Sequence, residues 1–140
     1  MEKLEHIGIA VRSLAEANEL FSRLLGKEPY KTEEVESEGV RTSFFDLAGV
    51  KIELLESTRP DSPIEKFLQK RGEGIHHLAF EVSDIEKSLA ERREAGFEPI
   101  YPQPKRGADN KMISFLHPRQ TGGVLIELCQ EITKPISAGA

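Results

Sequence analysis

Apolar residues alternate with small or polar ones through Leu4-Glu5-His6-Ile7-Gly8-Ile9-Ala10-Val11, and this period of two predicts a strand over residues 4 to 11. The period then changes. Ser13 and Glu16 have the spacing of a capping box, and Leu14, Ala17, Phe21, Leu24 and Leu25 recur at helical intervals. A helix is predicted from Ser13 to a stop at Gly26. Strands are predicted at about 29 to 35, 40 to 47 and 50 to 56, separated by Gly39 and by Ala48-Gly49. Residues 57 to 73 open with a turn-rich run, Ser57 to Pro63. Ile64, Phe67 and Leu68 then mark a short helix with Pro63 in its first turn.

The order of elements then starts again. A strand is predicted over 75 to 82 and a helix from Ser83, with Glu86 three residues on, to Ala95, stopping at Gly96. Short strands follow near 97 to 101, 111 to 117 and 123 to 130, and 132 to 140 reads as a loose tail. Each half is therefore β-α-β-β-β: a first module at about 1 to 56, a connector at 57 to 73 and a second module at about 74 to 131. The whole of 1 to 140 is expected to be one domain.

Particular residues recur with the elements. His6-Ile7-Gly8-Ile9-Ala10-Val11 returns as His77-Leu78-Ala79-Phe80-Glu81-Val82, with His6 and His77 71 residues apart. Val50-Lys51-Ile52-Glu53-Leu54 returns as Val124-Leu125-Ile126-Glu127-Leu128. Two copies are too few for a solenoid, which needs about three to bury a continuous core. The expected fold is α+β, two tandem modules forming one curved mixed sheet around a cleft.

Alternation along the strands decides which face carries the chemistry. His6, Gly8 and Ala10 share one face, as do His77, Ala79 and Glu81, so each histidine stands among small neighbours that leave room for a ligand. The same rule sends His76 to the face opposite His77, where a structural role is expected. Glu53 and Glu127 sit in apolar strands, and a bare carboxylate in a dry core is costly, so each should meet a cleft, a metal or water. Singly, a strand histidine is more often structural and a strand glutamate more often solvated. Their paired recurrence makes His6, Glu53, His77 and Glu127 a candidate metal-ligand set. Imidazole and carboxylate suit a divalent ion such as Co²⁺, Mn²⁺, Ni²⁺ or Zn²⁺, and the lack of a thiolate in the set argues against a structural zinc site.

Composition narrows the partners. A formal charge of -5 without a dominant basic face argues against nucleic acid. No apolar run approaches the roughly 20 residues of a membrane span, so a cytoplasmic protein with no membrane partner is expected. The single cysteine, Cys129, cannot form an intrachain disulfide and reads as a small buried hydrophobe. His117, before Pro118, reads as a strand-end or turn residue. Lys105, Arg106, Lys111 and Arg119 form a local basic group that suits phosphate, with a solvated loop as the equal alternative. Ser114, alternating with Phe115, is a weaker candidate for the cleft.

With these residues in view, the chain resembles the vicinal oxygen chelate superfamily, which includes glyoxalase I, extradiol dioxygenases and the methylmalonyl-CoA epimerases. Within it the chain looks like the epimerase family. The segments that carry this are Asp61-Ser62-Pro63-Ile64, Phe67-Leu68, Gly74-Ile75-His76-His77-Leu78-Ala79-Phe80-Glu81-Val82, and the run from Phe115-Leu116-His117-Pro118 through Arg119-Gln120-Thr121-Gly122-Gly123 to Glu127-Leu128. A glyoxalase usually has an Asp-Pro-(Asp/Glu)-Gly turn where this chain has His117 to Gly123.

The resemblance implies metal-dependent epimerisation of methylmalonyl-CoA at C2, with Co²⁺ ahead of Mn²⁺, Ni²⁺ and Zn²⁺, an acyl-CoA as the small-molecule substrate and a homodimer. His6, His77 and Glu127 are the implied ligands, Glu127 also serving as a base. Glu53 is the fourth ligand first and the second base by alternative, because residues 40 to 47 offer Arg41, Thr42 and Ser43 but no carboxylate before Asp46. Lys105, Lys111, Ser114 and Arg119 are substrate candidates. Two alternatives remain: a glyoxalase-like lyase acting on a glutathione hemithioacetal, and a non-catalytic small-molecule-binding protein of the same fold.

Overall fold

The computed structural model of the chain describes residues 3 to 132; the expected tail lies, from residue 133 on, outside the described residues. The elements run β1 (Lys3–Ala10), α1 (Leu14–Leu25), β2 (Lys31–Val35), β3 (Val40–Leu47), β4 (Val50–Ser57), α2 (Pro63–Arg71), β5 (Gly74–Glu81), α3 (Ile85–Glu94), β6 (Lys105–Arg106), β7 (Lys111–Leu116) and β8 (Ile126–Glu131). Two short 3-10 turns, Glu36–Glu38 and Pro118–Gln120, interrupt the connections.

All eight strands form one sheet in the order β2-β3-β4-β1-β5-β8-β7-β6. β1 runs parallel to β4, β5 runs parallel to β8, and β1 and β5 meet antiparallel at the centre. The two halves are therefore related by a pseudo-two-fold between β1 and β5, which places His6 opposite Ala79 and His77 opposite Gly8.

The helices cover one face of this sheet. Beneath α1, Val11, Leu14 and Ala17 pack with Phe45 and Leu54; beneath α3, Ile85 and Leu89 pack with Val82, Leu116 and Leu128. α2 instead closes one end of the other face, Ile64 and Leu68 packing with Ala10, Val40 and Leu55. The sheet curls until its outer strands approach. Tyr30 Oη donates to Asp109 Oδ2 at 2.9 Å, the Asp109 amide donates to Glu33 Oε1 at 2.7 Å, and Lys105 Nζ lies 2.8 Å from Glu38 Oε1.

The helix signals carry over with one change. Ser13 Oγ accepts from the Glu16 amide at 3.2 Å, and Gly26 closes α1 at φ 70°, a left-handed conformation that favours glycine. α3, however, is capped by Asp84, whose carboxylate accepts from the Lys87 amide at 3.2 Å, and not by Ser83. Starting one residue later puts Ile85 into the core and lets its amide donate to Gln130 Oε1 at 2.8 Å.

The strand expected near 97 to 101 reduces to one bridge, Pro99 with Leu116, and a two-residue β6 follows it. Pro99, Pro102 and Pro104 lack the amide hydrogens a ladder needs.

Candidate metal and active site

The inner face of the curled sheet encloses a cavity of about 140 Å³. His6, Glu53, His77 and Glu127 converge in its wall, each 5% exposed or less. His6 Nε2 lies 3.1 Å from His77 Nε2 and 3.2 Å from Glu53 Oε1. His77 Nε2 lies 3.5 Å from Glu53 Oε1 and 3.4 Å from Glu127 Oε1, and Glu127 Oε2 is 3.7 Å from His6 Nε2. Donors bonded to one ion at about 2.0 to 2.2 Å stand about 3 to 4 Å apart, so His6, His77 and Glu127 are spaced as a shared divalent ion needs, with Glu53 beside the histidine pair. Glu53 reaches the histidine pair from the first module's side and Glu127 from the second's, because β4 and β8 flank the central pair.

The room for this set is made by small residues. A methyl group on Gly8 would stand 2.2 Å from His77 Cε1, so the His77 ring occupies the space that any other residue at position 8 would fill. Each of these histidines also meets a phenylalanine of its own module edge-on. His6 lies 6.5 Å from the Phe44 ring centre and His77 lies 5.7 Å from that of Phe115. Phe44 pairs across the ladder with Glu53, and Phe115 with Glu127. The four side chains are thus placed by two equivalent sets of strand registers.

Their electrostatics are strongly coupled. Burial alone would lower the His6 pKa, but the carboxylates of Glu127, Glu5 and Glu53 raise it well above its usual value. Burial would raise Glu53, yet His6 and His77 bring it down to about 2. Glu127 stays above the usual carboxylate range, because its burial outweighs the pull of His6 and His77.

Two residues join the site against the alternation rule. Glu5 is 1% exposed and lines the cavity, its Oε1 2.8 Å from His6 Nδ1 and its Oε2 2.5 Å from Lys51 Nζ. Alternation sends His76 to the far face, yet it lines the same cavity with its Nδ1 2.9 Å from His77 Nδ1. The reason is local: the β1–β5 ladder slips at Glu5 and again at His76. A bulge breaks the period of two. Burial, with His77 adding to it, lowers the His76 pKa to about 3, so this imidazole is neutral.

The substrate candidates separate. Lys111 is buried in the cavity wall, 3.9 Å from Asp109 Oδ2, and Lys105 sits near its rim over the Tyr101 ring at 3.9 Å. Ser114 is buried, but Lys111, Ile113 and Phe115 are the β7 residues that line the cavity. Ser114 falls on the alternate face with Met112 and Leu116, which pack beneath α3. Arg119 lies beside His117 and Glu98 in a shallow groove apart from this cavity. Cys129 is fully buried with Ala79 and Ile113, and burial raises its pKa. On β3, the expected gap is present: Val40, Thr42 and Phe44 share the inner face and none is an acid.

The chemistry of this cavity is that of two enclosed carboxylates on opposite sides of a site able to hold a divalent cation. The chain is similar to several known proteins. Residues 5–115 match the family model described as glyoxalase/bleomycin resistance protein/dioxygenase superfamily. The mitochondrial methylmalonyl-CoA epimerase of Dictyostelium discoideum is 39% identical over 127 residues, covering 90% of this chain and 76% of that protein. The ethylmalonyl-CoA/methylmalonyl-CoA epimerase of Cereibacter sphaeroides is 38% identical, covering 91% and 97%. A solved structure of Streptomyces coelicolor methylmalonyl-CoA epimerase with 2-nitronate-propionyl-CoA superposes with a TM-score of 0.89 at 37% identity, covering 95% of this chain and 99% of that one.

Proposed function

We propose a reaction for this chain from one premise: it belongs to the glyoxalase/bleomycin resistance protein/dioxygenase superfamily. The reaction is epimerisation of methylmalonyl-CoA at C2, dependent on a divalent metal, Co²⁺ first. The observation that carries this reading is the pair Glu53 and Glu127, two buried acids set on opposite sides of the His6–His77 pair. The names of the relatives supply the substrate class, and the ethyl homologue is the first alternative to offer because the Cereibacter relative's name includes it.

The C2 proton lies between a thioester and a carboxylate, so its removal places charge on the thioester oxygen. His6, His77, Glu127 and Glu53 would hold a divalent ion, which would supply Lewis acidity and stabilise the charge that develops on the substrate. Glu53, held as a carboxylate, takes the proton from one face of C2, while Glu127, raised by burial toward its acid form, returns a proton to the other face, and the two exchange roles for the reverse direction. Glu53 is chosen by elimination among the cavity acids. Glu5 is held by His6 and Lys51, Asp109 by Tyr30 and the Glu33 contact, and Glu38 by Lys105. Val40, Leu55, Ile64 and Leu125 add an apolar stretch to the wall, which limits the water around the reacting carbon. Lys111 and Lys105, beside Asp109 and Glu38, are the cations this reading assigns to the substrate's carboxylate and the CoA phosphates.

The test is direct. A single C2 epimer of methylmalonyl-CoA is given to the purified, Co²⁺-loaded protein and the appearance of the other is followed, beside a parallel assay on the hemithioacetal of glutathione and methylglyoxal. Conversion of the CoA ester alone is expected. Turnover of the hemithioacetal alone would replace this reading with the lyase.

A further inference from the structure

We infer that Glu5 and His76 are positioning residues, each fixing one of the two ligand imidazoles through its Nδ1, and that a matched pair of β-bulges delivers them. This rests on the metal reading above.

Regular alternation would turn Glu5 and His76 away from the cavity. In the β1–β5 ladder Leu4 faces Phe80 and His6 faces Ala79, so Glu5 is an extra residue on β1. Further along, Gly8 faces His77 and Ile9 faces Ile75, so His76 is the extra residue on β5. A bulge of this kind re-aims a side chain, and here it brings two successive side chains to the inner face. Each bulge sits immediately before a ligand histidine, once in each module.

The contacts explain what the bulges achieve. The Nε2 atoms of His6 and His77 face each other at 3.1 Å, beside both glutamates. An imidazole that gives Nε2 to a cation carries its hydrogen on Nδ1, and that hydrogen needs an acceptor. For His6 the acceptor is Glu5 Oε1 at 2.8 Å, and for His77 it is His76 Nδ1 at 2.9 Å. Both acceptors are themselves held: Glu5 by Lys51 at 2.5 Å, and the His76 ring edge-on against Phe67 at 5.0 Å between centres. The two modules use different residue types for one geometric task, so the shared feature is an acceptor at Nδ1. The types also differ in charge. A carboxylate makes His6 the stronger donor, and a neutral imidazole leaves His77 the weaker one.

The experiment measures the Co²⁺ dissociation constant by chelator competition, with the ligand-field absorption spectrum of the bound ion. It compares the parent with Glu5→Gln and His76→Phe, and follows the thermal midpoint of each metal-stripped protein. Phe keeps the bulk of His76 and removes the acceptor; His76→Gln serves if Phe does not fold. Each substitution is expected to weaken Co²⁺ binding about 10- to 100-fold and to alter the spectrum, with Glu5→Gln the larger. Affinities and spectra unchanged from the parent, whatever the stripped midpoints do, would overturn the inference while leaving the metal reading intact. A parent that binds no Co²⁺ would overturn both.

Discussion

Glu53 and Glu127 occupy equivalent places in the two modules and are driven apart by their surroundings. The imidazoles hold Glu53 as a carboxylate down to about 2, whereas burial raises Glu127 toward the protonated form. Two acids separated in this way suit opposite roles in proton transfer. Glu53→Gln keeps a ligand oxygen but cannot carry a proton. It should therefore abolish inversion, by about 10²-fold or more, while one C2 epimer still exchanges its proton with solvent without inverting. Chiral analysis beside deuterium content checks this, and full inversion by the variant would exclude Glu53 as a base. Gly8→Ala addresses room and not chemistry. Its methyl group meets the His77 ring at 2.2 Å, so Co²⁺ affinity should fall at least about tenfold, with a stability loss of about 1 to 3 kcal/mol, read by chelator competition and thermal melting.

His6 makes a pH prediction at the same scale. Its folded pKa lies above the ordinary 6.5, so its stabilisation of the metal-stripped protein is fully present below about 6.5 and is lost as pH rises through the folded value. An ion needs a bare Nε2, so loading metal near neutral pH should release protons. Calorimetric titration in two buffers of different ionisation enthalpy should give different heats; equal heats would contradict the assignment.

At the scale of elements, the caps and the bulges behave differently. Asp84→Ala removes the acceptor for the Lys87 amide and should cost about 1 kcal/mol, measurable by denaturant unfolding, with Ser83→Ala near neutral. That pair also marks what a sequence can convey. Ser83 and Asp84 are both good caps, and only the burial of Ile85 and its bond to Gln130 separate them. The order of elements was legible because the repeat states it twice, and four inward residues were legible because their faces follow strand alternation.

Glu5 and His76 were not legible. A bulge is a relation between two strands, and the period of one strand carries no trace of it. The adjacent polar pairs Glu5-His6 and His76-His77, each opening an apolar strand, were the available signal. Ser114 shows the converse: the face of a β7 residue depended on knowing that Lys111, Ile113 and Phe115 point inward.

For the whole molecule, the pseudo-two-fold between β1 and β5 does what neither module can do alone. One module supplies a histidine and a glutamate; antiparallel pairing of the two brings His6, His77 and Glu127 around one point, with Glu53 beside the histidine pair, and sets the acids on opposite sides. The cluster lies at the seam, so an ion held there ties the modules together. At a concentration about 100 times its dissociation constant it should add about 2.7 kcal/mol to stability, and chelation should lower the thermal midpoint accordingly. The outer edges meet as well, through Tyr30 with Asp109 and Lys105 with Glu38, so the cavity is lined by the curled sheet, by α2 and by the loops that carry Tyr101 and Asp109. Among the described residues no helix is long and apolar enough to cross a membrane.

The central claim is metal-dependent proton exchange with inversion at C2. Its most direct measurement follows solvent deuterium entering C2 of a single methylmalonyl-CoA epimer, with the protein as purified, after chelation, and after Co²⁺ is restored. Deuterium should enter together with inversion, stop on chelation and resume with Co²⁺. No exchange in any metal state would contradict the account.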